Sequence, residues 1–241
     1  MKKFLPQLAV ATAAVLSMGA AQAVAIDFDH AIDSTFAPFI PMLGHSDEIQ
    51  TQGYFVDVYS TKAGAAAGDL VGALVDGTDL SNVCQGLVCP SNNASRFLAA
   101  LNDGVPVIGR LDNTAFKVTQ LDASFIAASG DVVLPTSLLL RLIGYSGNTQ
   151  MYSQDFFLPG PVAGAYSFAT YSLSNANAAT GITELDIYGF ACTTATSCTR
   201  SLDKGQFALD NINAVPEPSE WLLLGLGLVA VGAVVRSRKA A

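Results

Sequence analysis

The chain has 241 residues and a formal net charge of −8 at pH 7, with 51% hydrophobic and only 13% charged residues. Between residues 24 and 214, seven basic residues face 18 acidic ones; a surface so acidic repels phosphate backbones, which excludes nucleic acid as a partner. The only histidines are His30 and His45, with no H-E-x-x-H motif, too few for a catalytic zinc site that usually takes three protein ligands, often two or three of them histidines.

The N-terminus is MKKFLPQLAVATAAVLSMGAAQA. Lys2 and Lys3 form a basic start, residues 8–18 a short apolar run, and Ala21-Gln22-Ala23 a small-x-small cleavage site. Residues 1–23 are therefore expected to be a secretory signal peptide cut after Ala23, with a second site after Ala25. The remainder up to residue 214 is long enough for one domain with a sizeable core. Period-two alternation recurs there in short runs broken by Gly, Asn, Asp or Pro. It predicts strands over residues 25–28, 53–59, 116–127, 138–145, 151–158, 166–173, 182–190 and 206–213. The spacing points to an all-β sandwich. Residues 61–113, rich in Ala, Gly, Asp and Asn, are expected to be loops and short strands inserted in it, with a short helix over 95–101. Cys84 and Cys89 lie in CQGLVC, and Cys192 and Cys198 in CTTATSC. Close pairs in an exported chain read as two disulfides, each closing a small surface loop; a zinc site built from all four would want C-x2-C spacing.

The C-terminal stretch is VPEPSEWLLLGLGLVAVGAVVRSRKAA. Residues 221–235 carry no charge. A helix of that length reaches about 22 Å, short for a bilayer core of about 30 Å. Trp221 suits one interface, and Arg236, Arg238 and Lys239 in the basic tail 236–241 suit the cytoplasmic side. Pro216 and Pro218 flank Glu217 and force an extended backbone, a suitable protease substrate.

Val215-Pro216-Glu217-Pro218-Ser219, an apolar helix and an Arg-rich tail, in that order, closely resemble the bacterial PEP-CTERM sorting signal. The resemblance implies an exosortase as partner, which cuts near the motif after a transient stay in the inner membrane and delivers the protein to the cell surface or extracellular matrix. Such a tail is also called an ice-binding protein C-terminal domain, a term that carries no activity. The runs FKVTQLDASF, LLLRLIGYSG, MYSQDFFL, ITELDIYGF and GQFALDNI resemble the jelly-roll ectodomains of PEP-CTERM proteins, which are similar to carbohydrate-binding modules. Gln206-Phe207-x-x-Asp210 matches a QFxxD signature of one group of them. The fold implied is all-β: a jelly-roll-like β-sandwich ectodomain over residues 24–214 with a C-terminal single transmembrane helix. In modules of that shape an Asp of the last strand binds a structural Ca²⁺ with groups of the first. That nominates Asp210 with Asp27 or Asp29 and adds Asp122; the alternative is that Asp210-Asn211 caps a turn or bonds to backbone.

No catalytic residue is expected. ELDIYGF resembles the start of the E-x-D-x-E strand of jelly-roll β-glucanases, and Glu184 and Asp186 fit its first two positions. The third is Tyr188, which removes the second carboxyl that retaining hydrolysis needs about 5 Å away. His45-Ser46-Asp47 cannot form a relay from adjacent side chains, and Ser146 in GYSGN is not a nucleophile elbow. Tyr145, Tyr152, Tyr166, Tyr171 and Tyr188 could stack on sugar rings, although the only Trp lies in the sorting helix. The expected role is structural or adhesive, with exopolysaccharide as partner. The alternatives are a glycan-active enzyme on a jelly-roll scaffold and a permanently anchored type I membrane protein.

Overall fold

The structure is a computed structural model that describes residues 23–30, 32–129, 137–173, 180–194, 197–199, 204–217 and 227. Its strands are β1 (Val24–Ile26), β2 (Asp33–Phe36), β3 (Met42–Gly44), β4 (Asp47–Thr51), β5 (Tyr54–Ser60), β6 (Leu70–Asp76), β7 (Leu87–Val88), β8 (Arg96–Ala100), β9 (Gly104–Arg110), β10 (Phe116–Phe125), β11 (Ala127–Ala128), β12 (Ser137–Ser146), β13 (Thr149–Pro159), β14 (Ala169–Ser172), β15 (Glu184–Thr194), β16 (Ser197–Thr199) and β17 (Phe207–Pro216). The first sheet has the order β14-β10-β17-β8-β6-β3, with β1 also paired to β17. The second runs β13-β12-β15-β9-β5-β4-β2, with β16 on β15. All the strand pairs named here are antiparallel, and β1 lies against β17 with Ile26 opposite Ile212.

Alternation builds the core between the sheets. In β5, Tyr54, Val56 and Val58 are fully buried while Phe55, Asp57 and Tyr59 stand half-exposed on the other face. Val118, Leu121, Phe207, Leu209 and Ile212 of the first sheet meet Val56, Val58, Leu140, Leu142, Leu185 and Ile187 of the second. Full burial of such side chains contributes about 1.5–3 kcal/mol each. All eight predicted strands are present, with ends shifted by a few residues.

The segment 61–113 differs from expectation. Residues 95–101 are not helical: β8 is a strand between β17 and β6. Its pattern misleads because both its faces are buried. Leu98 and Ala100 face the main core, while Phe97 and Ala99 join Val75, Ile126 and Ala208 in a second core on the outer side of the first sheet. A continuous apolar run of this length cannot be told from a buried helix by periodicity. The second core is roofed by the loop after β6, where Val83 and Cys89 pack against it and the Cys84–Cys89 disulfide closes the chain on itself. β9 is likewise no insertion but a central strand between β5 and β15. It tolerates Pro106 because its ladder to β15 ends at Val107, leaving Pro106 paired only with Val58 of β5.

Candidate functional site

The outer face of the second sheet gathers the carboxyl groups that its alternation turns away from the core. Asp57-Val58-Tyr59 on β5 and Asp186-Ile187-Tyr188 on β15 are equivalent segments on either side of β9. Asp57 and Asp186 both lie opposite Val107, and Phe55 and Glu184 both lie opposite Gly109. The row extends to Glu48, opposite Asp57 on β4, and to Ile143 and Tyr145 on β12, opposite Asp186 and Glu184. Two strand spacings separate Asp57 from Asp186, about 10 Å. In each segment the tyrosine serves its own aspartate: Tyr59 donates to Asp57 Oδ2 at 2.8 Å and Tyr188 to Asp186 Oδ2 at 2.9 Å. The Phe55 ring lies over Gly109, where a Cβ would stand 2.4 Å from it.

Burial keeps Asp57, Glu184 and Asp186 protonated to higher pH than usual, and acidic neighbours add to this for the first two. Burial pushes Asp57 up to about 6; the Tyr59 hydroxyl opposes that, and the charges of Glu48 and Glu184 add to it. Burial followed by the Asp186 charge raises Glu184. Asp186, only 9% exposed, is raised by burial against the hydrogen bond from Tyr188. The neighbouring Arg141 does not relieve the row, because it is held by Asp155 through two bonds of 2.7 Å. Tyr188 thus occupies the third position of the E-x-D-x-E pattern as a hydrogen-bond donor to Asp186. Of the other tyrosines singled out, Tyr152 and Tyr166 are buried.

Asp210 serves a different purpose. It is fully buried beneath the loop that covers the first sheet. Its Oδ2 accepts Ser95 Oγ–H and an Asn93 Nδ2–H, each at 2.7 Å, and its Oδ1 accepts the Asn211 N–H at 2.8 Å. Burial raises its pKa, opposed by those hydrogen bonds, and nearby Asp29 raises it further. Asp29 Oδ1 accepts the Arg96 N–H at 2.7 Å. Asp27 Oδ1 instead faces His30 and Gln52, and Asp122 binds Asn211 Nδ2 and Thr170 Oγ1. Calcium wants six to eight oxygens. Among the described residues no three His, Cys, Asp or Glu side chains form a metal-holding group, and the atoms around Asp210 are donors. The nominated aspartates are not gathered into one ligand set. In the same motif Phe207 is fully buried in the core, and buried Gln206 accepts the Asn102 N–H on its side-chain Oε1 at 3.4 Å. The signature Gln206-Phe207-x-x-Asp210 therefore describes packing around the last strand.

The remaining predicted sites are placed as follows. The cysteines form two disulfides, Cys84–Cys89 and Cys192–Cys198, the second joining opposed residues of β15 and β16. His45 Nδ1 accepts the Ser60 N–H at 2.9 Å and makes no contact with Ser46 or Asp47 that would form a relay. Of the signal-cleavage residues, Ala23 is exposed and Ala21 lies outside the described residues. Of the sorting motif, Val215, Pro216 and Glu217 are described, and all three belong to the folded domain. Val215 and Pro216 end β17, opposite Lys117 and Phe116 of β10. Pro218, Ser219 and the expected helix 221–235, except Gly227, lie outside the described residues.

Residues 214–239 match the family model of the PEP-CTERM protein-sorting motif, which marks an exported chain processed by exosortase. No curated protein matches the chain. Among solved structures it is similar to a DUF4465 family protein from Bacteroides caccae, with 10% identity over 81% of this chain and 100% of that one, at a TM-score of 0.51. Two further structures are TmCBM61 in complex with β-1,4-galactotriose (10% identity, 67% of this chain and 88% of that one, TM-score 0.34) and the Stig cyclase Fisc from Fischerella sp. TAU (10%, 82% and 99%, TM-score 0.37). At these identities the first shows a shared fold.

Two predictions follow from the acids. A carboxyl whose pKa is raised on folding binds more protons folded than unfolded. Its stabilising effect is therefore full below a pH of about 4 and lost as pH rises through about 6. Asp57→Asn is expected to flatten the fall in the urea midpoint across that window; a profile parallel to the wild type would contradict the assignment. Asp210→Ala strands the Ser95 and Asn93 donors and is expected to cost about 1–3 kcal/mol, equally with Ca²⁺ or a chelator. A rise in the wild-type melting temperature on adding Ca²⁺, abolished by the substitution, would restore the calcium site.

Proposed function

We propose that this exported chain, processed at its PEP-CTERM motif, is a structural or adhesive protein of the cell surface or extracellular matrix. In this reading the apolar run 221–235 holds it in the inner membrane until exosortase acts, and the sandwich then associates with exopolysaccharide through the outer face of its second sheet. The observation that carries the proposal is the duplicated Asp-x-Tyr array on β5 and β15. Sugar polymers offer hydroxyls to acceptors and ring faces to aromatic side chains. The face provides both: carboxyl groups at Glu48, Asp57 and Glu184, and half-exposed rings at Phe55, Tyr59, Tyr145 and Tyr188. Hydrogen bonds from Tyr59 and Tyr188 to their aspartates fix two of the rings in advance, which lowers the ordering cost of binding. A neutral or cationic glycan suits the acidic row; a polyanionic one does not.

One observation favours a second reading, glycan hydrolysis. Asp57, held protonated to about pH 6, faces Glu184 and Asp186 across β9, and an acid of that pKa is suited to proton donation near neutrality. One experiment separates the readings: affinity electrophoresis of the protein in native matrix polysaccharide, with reducing ends assayed in the same incubation. Binding weakened about tenfold by Tyr59→Ala or Tyr188→Ala, the size expected for a lost ring contact, without release of reducing ends, would support the binding role. Reducing ends that disappear with Asp57→Asn would assign an enzyme. Unretarded migration of the wild type would remove the polysaccharide from the account.

A further inference from the structure

The sorting motif is not a free tail at its first three residues. Val215 and Pro216 continue the ladder of β17 with β10, opposite Lys117 and Phe116. Glu217 donates its N–H to the Ala115 carbonyl oxygen at 3.0 Å, and its Oε1 accepts the Gly181 N–H at 2.8 Å. Gly181 is in the left-handed conformation, φ +70°, open to glycine at little cost. Both anchors of Glu217 are tied to one buried residue: Phe116, fully buried, exchanges both backbone hydrogen bonds with Ile182, at 2.9 and 3.2 Å. The charged residue of the motif thus clamps the end of β17 to two segments of the domain.

An enzyme that recognises an extended peptide does so through its backbone groups and alternate side chains. In Val215–Glu217 those groups are already engaged. We infer that the sandwich domain holds its own sorting motif docked, and that exosortase captures the chain only when residues 215–217 have peeled away from β10 and Gly181. Glu217 then has two exclusive partners, the Gly181 N–H in the docked state and the enzyme in the released one. The apparent affinity of the enzyme is reduced by the fraction of chains released, so the stability of the end of β17 sets the rate of sorting. This rests on the exosortase reading of the motif.

The test follows removal of the C-terminal segment by mass spectrometry, using the full chain and exosortase-containing membranes of the native host. A flexible insert of about six Gly and Ser residues between Ala214 and Val215 detaches the motif without altering it. The expected result is an initial rate about tenfold higher, matching the loss of roughly two hydrogen bonds. Conversely, Lys117→Cys with Val215→Cys places thiols at opposed positions of β10 and β17. The disulfide-closed form is expected to stay intact, and its reduced form to be cut at the rate of the single Val215→Cys variant under the same reductant. Equal rates for the insert and the wild type, or cutting of the closed form as fast as the reduced one, would overturn the docked state. A wild type left uncut would overturn the exosortase reading beneath it.

Discussion

The structure depends on β17. It lies between β10 and β8, and also takes β1 as a partner, so the first strand of the domain and two other non-adjacent segments close on the last one. One face delivers Phe207, Leu209 and Ile212 to the main core, and the other delivers Ala208 to the second core. Asp210 of the same strand fixes the covering loop through Asn93 and Ser95. No sandwich is complete until this strand is in place, and the strand runs directly into the sorting motif. Folding and address are therefore coupled through one ten-residue element.

The domain buries acids in two chemically different ways. Asp210 has three donors around its oxygens, the arrangement that makes a buried carboxyl a structural fixture. The row Glu48, Asp57, Glu184 and Asp186 is held mostly among other acids, with one tyrosine hydroxyl apiece for the two aspartates. Burial favours protonation of Asp57, Glu184 and Asp186, with acidic neighbours adding to it for Asp57 and Glu184, and the row's hydrogen-bonding capacity is directed outward. The first arrangement ties the Asp of a short sequence signature to the covering loop; the second leaves carboxyl groups on an accessible face.

Much of this was legible in the sequence, for identifiable reasons. Strands with one wet face, such as β5, β12 and β15, announce themselves by alternation. β6 and β8 do not, because the disulfide-closed loop above them buries their second face and erases the period. The short strands β2, β3 and β4 are too brief to establish one. Within the site, ELDIYGF could be singled out from its own residues, but its counterpart YFVDVY could not. The relation between Asp57 and Asp186 exists only through their shared neighbour Val107 on β9, a non-local pairing that spacing along the chain does not encode. Adjacency of the first and last strands was expected, yet the three nominated aspartates do not converge, since Asp27 turns toward His30 and Gln52.

A folded sandwich with an acidic, tyrosine-supported face and a sorting motif continuous with its last strand suits a protein that must be complete before it is released. The most direct measurement is on the native host: separate inner membrane, cell surface and extracellular matrix, and determine the C-terminus of the protein in each by mass spectrometry. The account predicts a surface or matrix form that has lost the apolar run 221–235 and the basic tail and ends close to Val215–Ser219. A protein found only in the inner membrane and intact to Ala241 would contradict it.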